Sequence, residues 1–189
     1  CLAIAAWGFG QLEVGVNSLH YLRDGGSVRT DTEAIDQALG GSATIEFLIE
    51  APNAGLKDPI ILKQIDELGE WLTEQPGIVR SLSPLDNLKE IDRVLNQRET
   101  QPGQLPESRA VAAQLYLLLE GSEDFESSIQ DNYELGRLTA TVKMTQAHIT
   151  SRAIPSMEAS IAERFNNTDM HISMTGFVKL MGEMEAYLL

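Results

Sequence analysis

Apolar and polar positions along this chain follow two spacings. From Thr44 to Glu50, Ile45, Phe47 and Ile49 alternate with Thr44, Glu46 and Glu50. Successive side chains of a strand point to opposite faces, so a spacing of two predicts a half-buried strand. Asp58-Pro59 then opens a helix, because aspartate accepts from free N–H groups and proline has no N–H to lose at the first helical position. Ile61, Ile65, Leu68 and Leu72 recur at helical spacing and give one apolar stripe. Pro76-Gly77 ends this helix, and Ile78-Val79 begins the next strand. Residues 39–82 thus form a strand, loop, helix, turn and strand.

The same order returns later. Leu138, Ala140, Val142 and Met144 alternate with Thr139, Thr141, Lys143 and Thr145, which predicts a second long strand. A helix follows over about residues 151–165, opening at Ser151, with Pro155 in its first turn and Ile154, Met157, Ile161 and Phe165 as its stripe. Asn166 to Asp169 is a turn; Met170, Ile172 and Met174 alternate with His171 and Ser173 in a last strand. Thr175-Gly176 leads into a terminal helix. Strands near 43–50 and 78–82 around one helix, and near 136–145 and 169–174 around another, make two βαβ units. Two such units can interleave into a four-stranded antiparallel sheet with two helices on one face, so the expected class is α+β and ferredoxin-like.

Between and before these units lie other helices. Residues 23–27 form a turn, and residues 30–39 a short helix capped by Thr30 or Asp31. In that helix Ile35 and Leu39 share a face, and Gly40-Gly41 closes it. Ser83-Pro84 opens a helix whose stripe is Leu88, Ile91 and Leu95. Residues 96–104 are polar and predict a surface loop. Ser108 caps a helix to Leu119, where Val111, Leu115 and Leu118 lie beside Ala112, Tyr116 and Leu119. A stripe that wide predicts deep burial or a second apolar surface. Residues 121–131 read as an acidic link anchored by Phe125 and Ile129. Residues 83–121 are therefore a helical insertion between the two units. Residues 12–22, with Leu12, Val14 and Val16, suggest extended chain or a short strand.

Charge narrows the partners. The 14 Lys and Arg against 28 Asp and Glu give a formal net charge of −14. Such a surface repels phosphate backbones and anionic headgroups, so nucleic acid is not an expected partner. Apolar cargo, recognised by burial, stays open. Cys1 has no second cysteine to bridge, which suits the cytoplasm or a periplasmic domain without disulfides. The opening CLAIAAWGFG is too short to span a bilayer, which takes about 20 residues. It reads as a buried start or as the outer end of a transmembrane helix, with Trp7 as an interfacial anchor or an ordinary packed residue.

Chemistry-bearing patterns are absent. His20, His148 and His171 fall in no metal-binding spacing, and no nucleophile elbow, Walker-type loop or dinucleotide fingerprint occurs. Gly8-Phe9-Gly10 lacks the strand–helix context of a phosphate loop, and Glu123-Asp124 reads as a solvated acidic loop rather than a cation site. No catalytic, metal or cofactor residue is expected, and the chain is not expected to be an enzyme. Met144, Met157, Met170 and Met174 are either adaptable core packing or the walls of a greasy cleft.

One family accommodates the whole pattern. LEVGVNSLHYL after an apolar helix end, DTEAIDQALGGSATIEFLIEAP, LKDPIILKQIDELGEWLTEQPGIVRSLSPLDNLKEI, LPESRAVAAQLYLLLEG, YELGRLTATVKM and ISMTGFVKLMGEME follow in order. Together they resemble the first large periplasmic loop of an RND-superfamily exporter of the MMPL-like type. The likeness covers nearly the whole chain, in diffuse rather than catalytic motifs. Some members of that family are proposed to carry hopanoids or other lipids.

The resemblance implies that residues 1–22 are the end of the first transmembrane helix with its linker. Residues 23–175 would be the periplasmic porter domain, and residues 176–189 a helix leading toward the second transmembrane helix. It also implies a bacterial inner-membrane protein with this portion in the periplasm, driven by protons. The partners implied are the second periplasmic loop, the transmembrane helices and a hydrophobic or amphipathic, lipid-like substrate. A homo-oligomer is compatible with it. Proton-relay residues would lie in membrane helices outside this stretch, and no substrate-binding residue can be assigned. The alternative is a stand-alone ferredoxin-like ligand-binding or regulatory module.

Overall fold

A computed structural model describes residues 23–97, 103–165 and 169–188. The apolar start with Cys1, Trp7 and His20, the extended stretch 12–22, part of the 96–104 loop and turn residues 166–168 lie outside the described residues.

The central feature is one antiparallel sheet. Its strands are β1 (Ala43–Glu50), β2 (Ile78–Leu82), β3 (Ile129–Gln130), β4 (Leu135–Val142) and β5 (His171–Thr175). They lie in the order β2-β4-β1-β5, with the short β3 beside β4. β1 pairs β4 from Ala43↔Val142 to Glu50↔Leu135, and its second half pairs β5 from Glu46↔Thr175 to Glu50↔His171. The register follows from alternation: Ile45, Phe47 and Ile49 stand beside Ala140, Leu138 and Gly136 on one buried face. A slip of one residue would turn that whole row to solvent. Opposite them Thr139 donates to Glu46 at 2.6 Å, so the outer face is polar. β4 stops at Val142, three residues short of the expected end. The chain leaves the sheet there because Met144 enters a 3₁₀ turn and donates its N–H to Asp36 at 2.8 Å.

Two helices cover the buried face. In α2 (Pro59–Thr73) Asp58 Oδ1 accepts from the Ile60 N–H at 2.9 Å, with proline at the first helical position, as the sequence predicts. The sealed stripe is Leu62, Ile65, Leu68 and Leu72, while Ile61 sits half-buried at its edge. The Ser81 hydroxyl donates to the Gly69 carbonyl at 2.9 Å and draws β2 against the helix. α6 (Ala147–Phe165) begins four residues before the expected Ser151, so Pro155 lies inside the helix rather than in its first turn. Apart from Ala147, the early turns bury Thr150 and Ser151 rather than large apolar residues, which is why the apolar spacing starts only at Ile154. Ile154, Met157 and Ile161 are buried as expected. Thr150 Oγ1 donates to the Pro76 carbonyl at 2.9 Å, joining the two βαβ units. Gly77 beside it has φ +81°, and a Cβ there would lie 2.2 Å from Thr150 Oγ1. α7 (Phe177–Leu188) crosses α6 where Gly182 meets Ser151; a Cβ at Gly182 would stand 3.3 Å from the Ser151 carbonyl oxygen. That carbonyl is the one that Pro155, lacking an N–H, leaves without its helical donor.

The remaining helices correct several expectations. α1 (Ser27–Leu39) starts three residues before Thr30, behind Gly26 and with no side-chain cap. Arg29 reaches back to Asp24 and forward to Glu33 at 2.9 Å, which carries the helix through its first turn. Ile35 and Leu39 are 52% and 60% exposed; the buried residue is Asp36, whose Oδ1 accepts from Met144 N–H and from the Ser42 hydroxyl at 2.9 Å. Long-range hydrogen bonds, not an apolar stripe, fix this helix. α3 (Pro84–Leu95) has the expected cap: Ser83 accepts from Leu85 N–H and Asp86 accepts from Ser83 N–H at 2.7 Å. It buries Leu85 and Leu88, whereas Leu95 is 59% exposed because the helix outruns its neighbours. Lys89 joins it to Asp66 of α2 at 2.5 Å.

In α4 (Arg109–Leu119), capped by Ser108, Ala112, Leu115 and Tyr116 are buried, and Val111 and Leu118 are exposed. Tyr116 donates to the Leu56 carbonyl at 2.8 Å and its ring stacks near Phe125 and Tyr133. The acidic stretch 121–131 is not a bare link. It forms α5 (Glu123–Ser128), capped by Ser122, and β3, with Phe125 and Ile129 buried as expected. Among the described residues no helix is long and apolar enough to cross a membrane.

Candidate functional site

The sheet ends at β5, whose strand partner among the described residues is β1 alone. Met174 stands opposite Phe47 and Ile172 opposite Ile49, so these side chains continue the core row to the rim of the sheet. Met170 and Met174 are buried and Ile172 is half-buried. Facing them, the last turns of α6 present Ile161, Ala162 and Phe165. Between the two runs a cleft of about 520 Å³, open on its outer side. Lys179 of α7 closes one end by donating to Glu158 of α6 at 2.6 Å, with Glu183 at 3.8 Å.

A second cleft of about 650 Å³ adjoins it and shares Met170 and His171. Its walls carry the carboxylates of Glu50, Glu134 and Asp169. The loop beside it is held from several sides. Ala51 N–H donates to the Glu134 carbonyl at 2.7 Å, and Arg109 donates to the Asn53 carbonyl at 3.0 Å and to Asp58 Oδ2 at 2.9 Å. Asn53 and Ala54 both have positive φ, 61° and 54°, a conformation that side chains disfavour and that these ties maintain. The Ile60 N–H, and next the Arg109 guanidinium, hold the Asp58 carboxyl below the usual carboxylate range. Burial pushes the Tyr116 phenol well above its ordinary value.

His171 is exposed on β5, with its Nε2 3.3 Å from the Ser173 hydroxyl. Among the described residues no carboxylate hydrogen-bonds to that ring, so the pair lacks the third group that orients a base. His148 lies at the start of α6, and its Nδ1 is buried without a hydrogen-bond partner. No group of three or more His, Cys, Asp or Glu side chains among the described residues could hold a metal ion.

Met144, Met157, Met170 and Met174 divide. Met157, Met170 and Met174 belong to the core, and Met144 packs against it from the 3₁₀ turn. Met170 and Met174 also line the cleft, beside Glu158, Ser173 and Lys179. Sequence reasoning missed Glu158, Ala162 and Lys179. Glu158 and Ala162 lie one turn apart beside Ile161 on α6, which is a weak local signal. Lys179 comes from another helix and carries no local signal. No family model matches the chain, and no curated protein matches it in sequence.

Proposed function

We propose that this chain is the first periplasmic porter domain of a proton-driven RND-superfamily exporter of the MMPL-like type, which moves hydrophobic or amphipathic, lipid-like substrates. The observation that carries the proposal is where the first and last described helices dock. α1 is tied through Asp36 to Met144, and α7 packs through Gly182 on Ser151. The inner end of α1 and the middle of α7 therefore flank the start of α6, at one end of the sheet. A domain inserted between two helices of one bilayer needs its entry and exit on the same side.

Two further features support the reading. The strand order β2-β4-β1-β5, antiparallel throughout, is what two interleaved βαβ units of the ferredoxin-like kind produce. Apolar faces on the terminal helices are left uncovered: Val28, Ile35 and Leu39 on α1, and Leu180, Met184 and Tyr187 on α7. In the proposed exporter these meet the second periplasmic loop and the transmembrane helices. The porter domain lines or gates the substrate route in the periplasm, while proton coupling resides in the membrane helices. It performs no covalent chemistry.

The test is the reading frame on both sides of these residues. The expected result is an apolar stretch of about 20 residues on each flank. Polar flanks, or a start codon immediately before Cys1, overturn the proposal and leave the stand-alone ligand-binding module.

A further inference from the structure

Pro155 divides α6 into two parts that are held differently. Before it, Ala147 is buried and Thr150 Oγ1 donates to the Pro76 carbonyl at 2.9 Å, so the first turns are fixed to the sheet unit. Proline removes the bond to the Ser151 carbonyl, and a helix that lacks a rung bends most easily there. Side-chain hydroxyls bond to the carbonyls on either side: Thr150 to Gln146 at 3.3 Å, Ser151 to His148 at 3.0 Å and Ser156 to Ala153 at 2.8 Å. Such back-bonding also favours bending. Beyond the proline, Phe165 lines two clefts, one of about 520 Å³ toward β5 and one of about 220 Å³ toward Leu68 and Trp71 of α2. The last turn of α6 therefore has space on both sides. Arg164 rests 5.2 Å from the Trp71 ring, a contact that tolerates a change of tilt. α7 bridges the joint: Gly182 meets Ser151 before the proline, and Lys179 donates to Glu158 at 2.6 Å after it.

We propose that Pro155 is a hinge, that residues 156–165 are a lid over the cleft beside β5, and that the Lys179–Glu158 pair is the latch. Tilting the lid carries Ile161, Ala162 and Phe165 toward or away from Ile172 and Met174. A helix rises about 1.5 Å per residue, so Phe165 stands about 15 Å beyond the hinge, and a tilt of about 10° displaces it by roughly 3 Å. That displacement is enough to shut or widen the cleft. The latch is a partly exposed ion pair, which contributes little and releases readily. A static bend is the competing account, since a proline on the exposed side of α6 can simply curve the helix around the core. The two differ in whether α6 exchanges between two tilts. The hinge is independent of whether the chain belongs to an exporter.

The experiment is methyl relaxation dispersion on the 189-residue chain labelled at its methionine methyl groups. Met157 rides on the lid, Met174 lines the cleft, and Met144 lies before the hinge as a reference. Exchange in the microsecond-to-millisecond range is expected at Met157 and Met174 and not at Met144. Pro155→Ala is expected to abolish that exchange. Lys179→Gln is expected to raise it several-fold with the circular dichroism spectrum unchanged. Glu158→Gln breaks the same pair from the other side and keeps the test decisive if Lys179→Gln fails to fold. No exchange in the parent chain, exchange of equal size at Met144, exchange that survives Pro155→Ala, or exchange indifferent to loss of the ion pair would each overturn the proposal.

Discussion

The two βαβ units share an element order and differ in finish. In the first, Asp58 and Pro59 set the start of α2, and its stripe from Leu62 to Leu72 is sealed against the sheet. β1 has a neighbour on either side, and Ile45 and Phe47 are fully buried. In the second, Pro155 interrupts the α6 ladder, and the unit ends, among the described residues, in an edge strand whose inward residues are Met174 and the half-buried Ile172. The same order of elements gives scaffold where the strand is central and a surface where it is outermost. Position in the sheet, not local sequence, separates the sealed half from the half that ends at a rim.

Paired substitutions test that contrast. Phe47→Ala, in the fully enclosed row, is expected to cost about 3–5 kcal/mol in urea unfolding. Met174→Ala is expected to cost about 2 kcal/mol, because the open cleft supplies part of its surroundings; equal losses would break the comparison. Gly77→Ala, which faces both the positive φ and the Thr150 hydroxyl, is expected to cost about 2–3 kcal/mol. In a Thr150→Ala background only the backbone penalty of about 1 kcal/mol should remain. That coupling would measure the tie between the units.

Smaller effects sharpen the same picture. Pro155→Ala is expected to raise stability by about 1 kcal/mol or more, since the freed Ser151 carbonyl regains a donor; a loss would mean that the α6–α7 crossing depends on the proline. Asp58→Ala is expected to cost about 1 kcal/mol near neutral pH through loss of the cap. The Asp58 carboxyl has a folded value below its unfolded one. Its contribution is therefore present above the unfolded value and is lost as pH falls through the folded one. Acid unfolding followed by circular dichroism should show a shallower acid limb in Asp58→Ala than in the parent chain. The Tyr116 phenol is shifted the other way, so stability should fall as pH rises past about 10, and Tyr116→Phe should remove that fall.

The most legible parts of the fold were those whose signal is local. β1 and β4 announced themselves because both are central and one face of each is apolar throughout. α2, α3 and α4 were marked by Asp58, Ser83 and Ser108, whose caps reach only two or three residues. What escaped depends on distant partners. Asp36 carries no local signal, yet it accepts from Met144, 108 residues away. The first turns of α6 hold Thr150 and Ser151, polar groups buried by hydrogen bonding to Pro76 and His148, so periodicity alone missed four residues of helix. Leu95 was placed in a stripe by extrapolating a spacing past the last neighbour that could cover it. At the candidate site, the methionines were visible in the sequence and the cleft was not. Its closing pair, Glu158 and Lys179, lies 21 residues apart and meets only after α7 has crossed α6.

The order of strands also sets a timetable for synthesis. Among the described strands β1 hydrogen-bonds only to β4 and β5, and β2 only to β4. A nascent chain that has emerged as far as Leu82 therefore holds two strands and no ladder between them. At about 5–20 residues per second, a further 3–12 s or so pass before Val142 is made. During that interval Ile45, Phe47 and Ile49 have only α2 to shelter them. A holdase that recognises exposed β-strands would find its target in this chain before the ribosome has finished it.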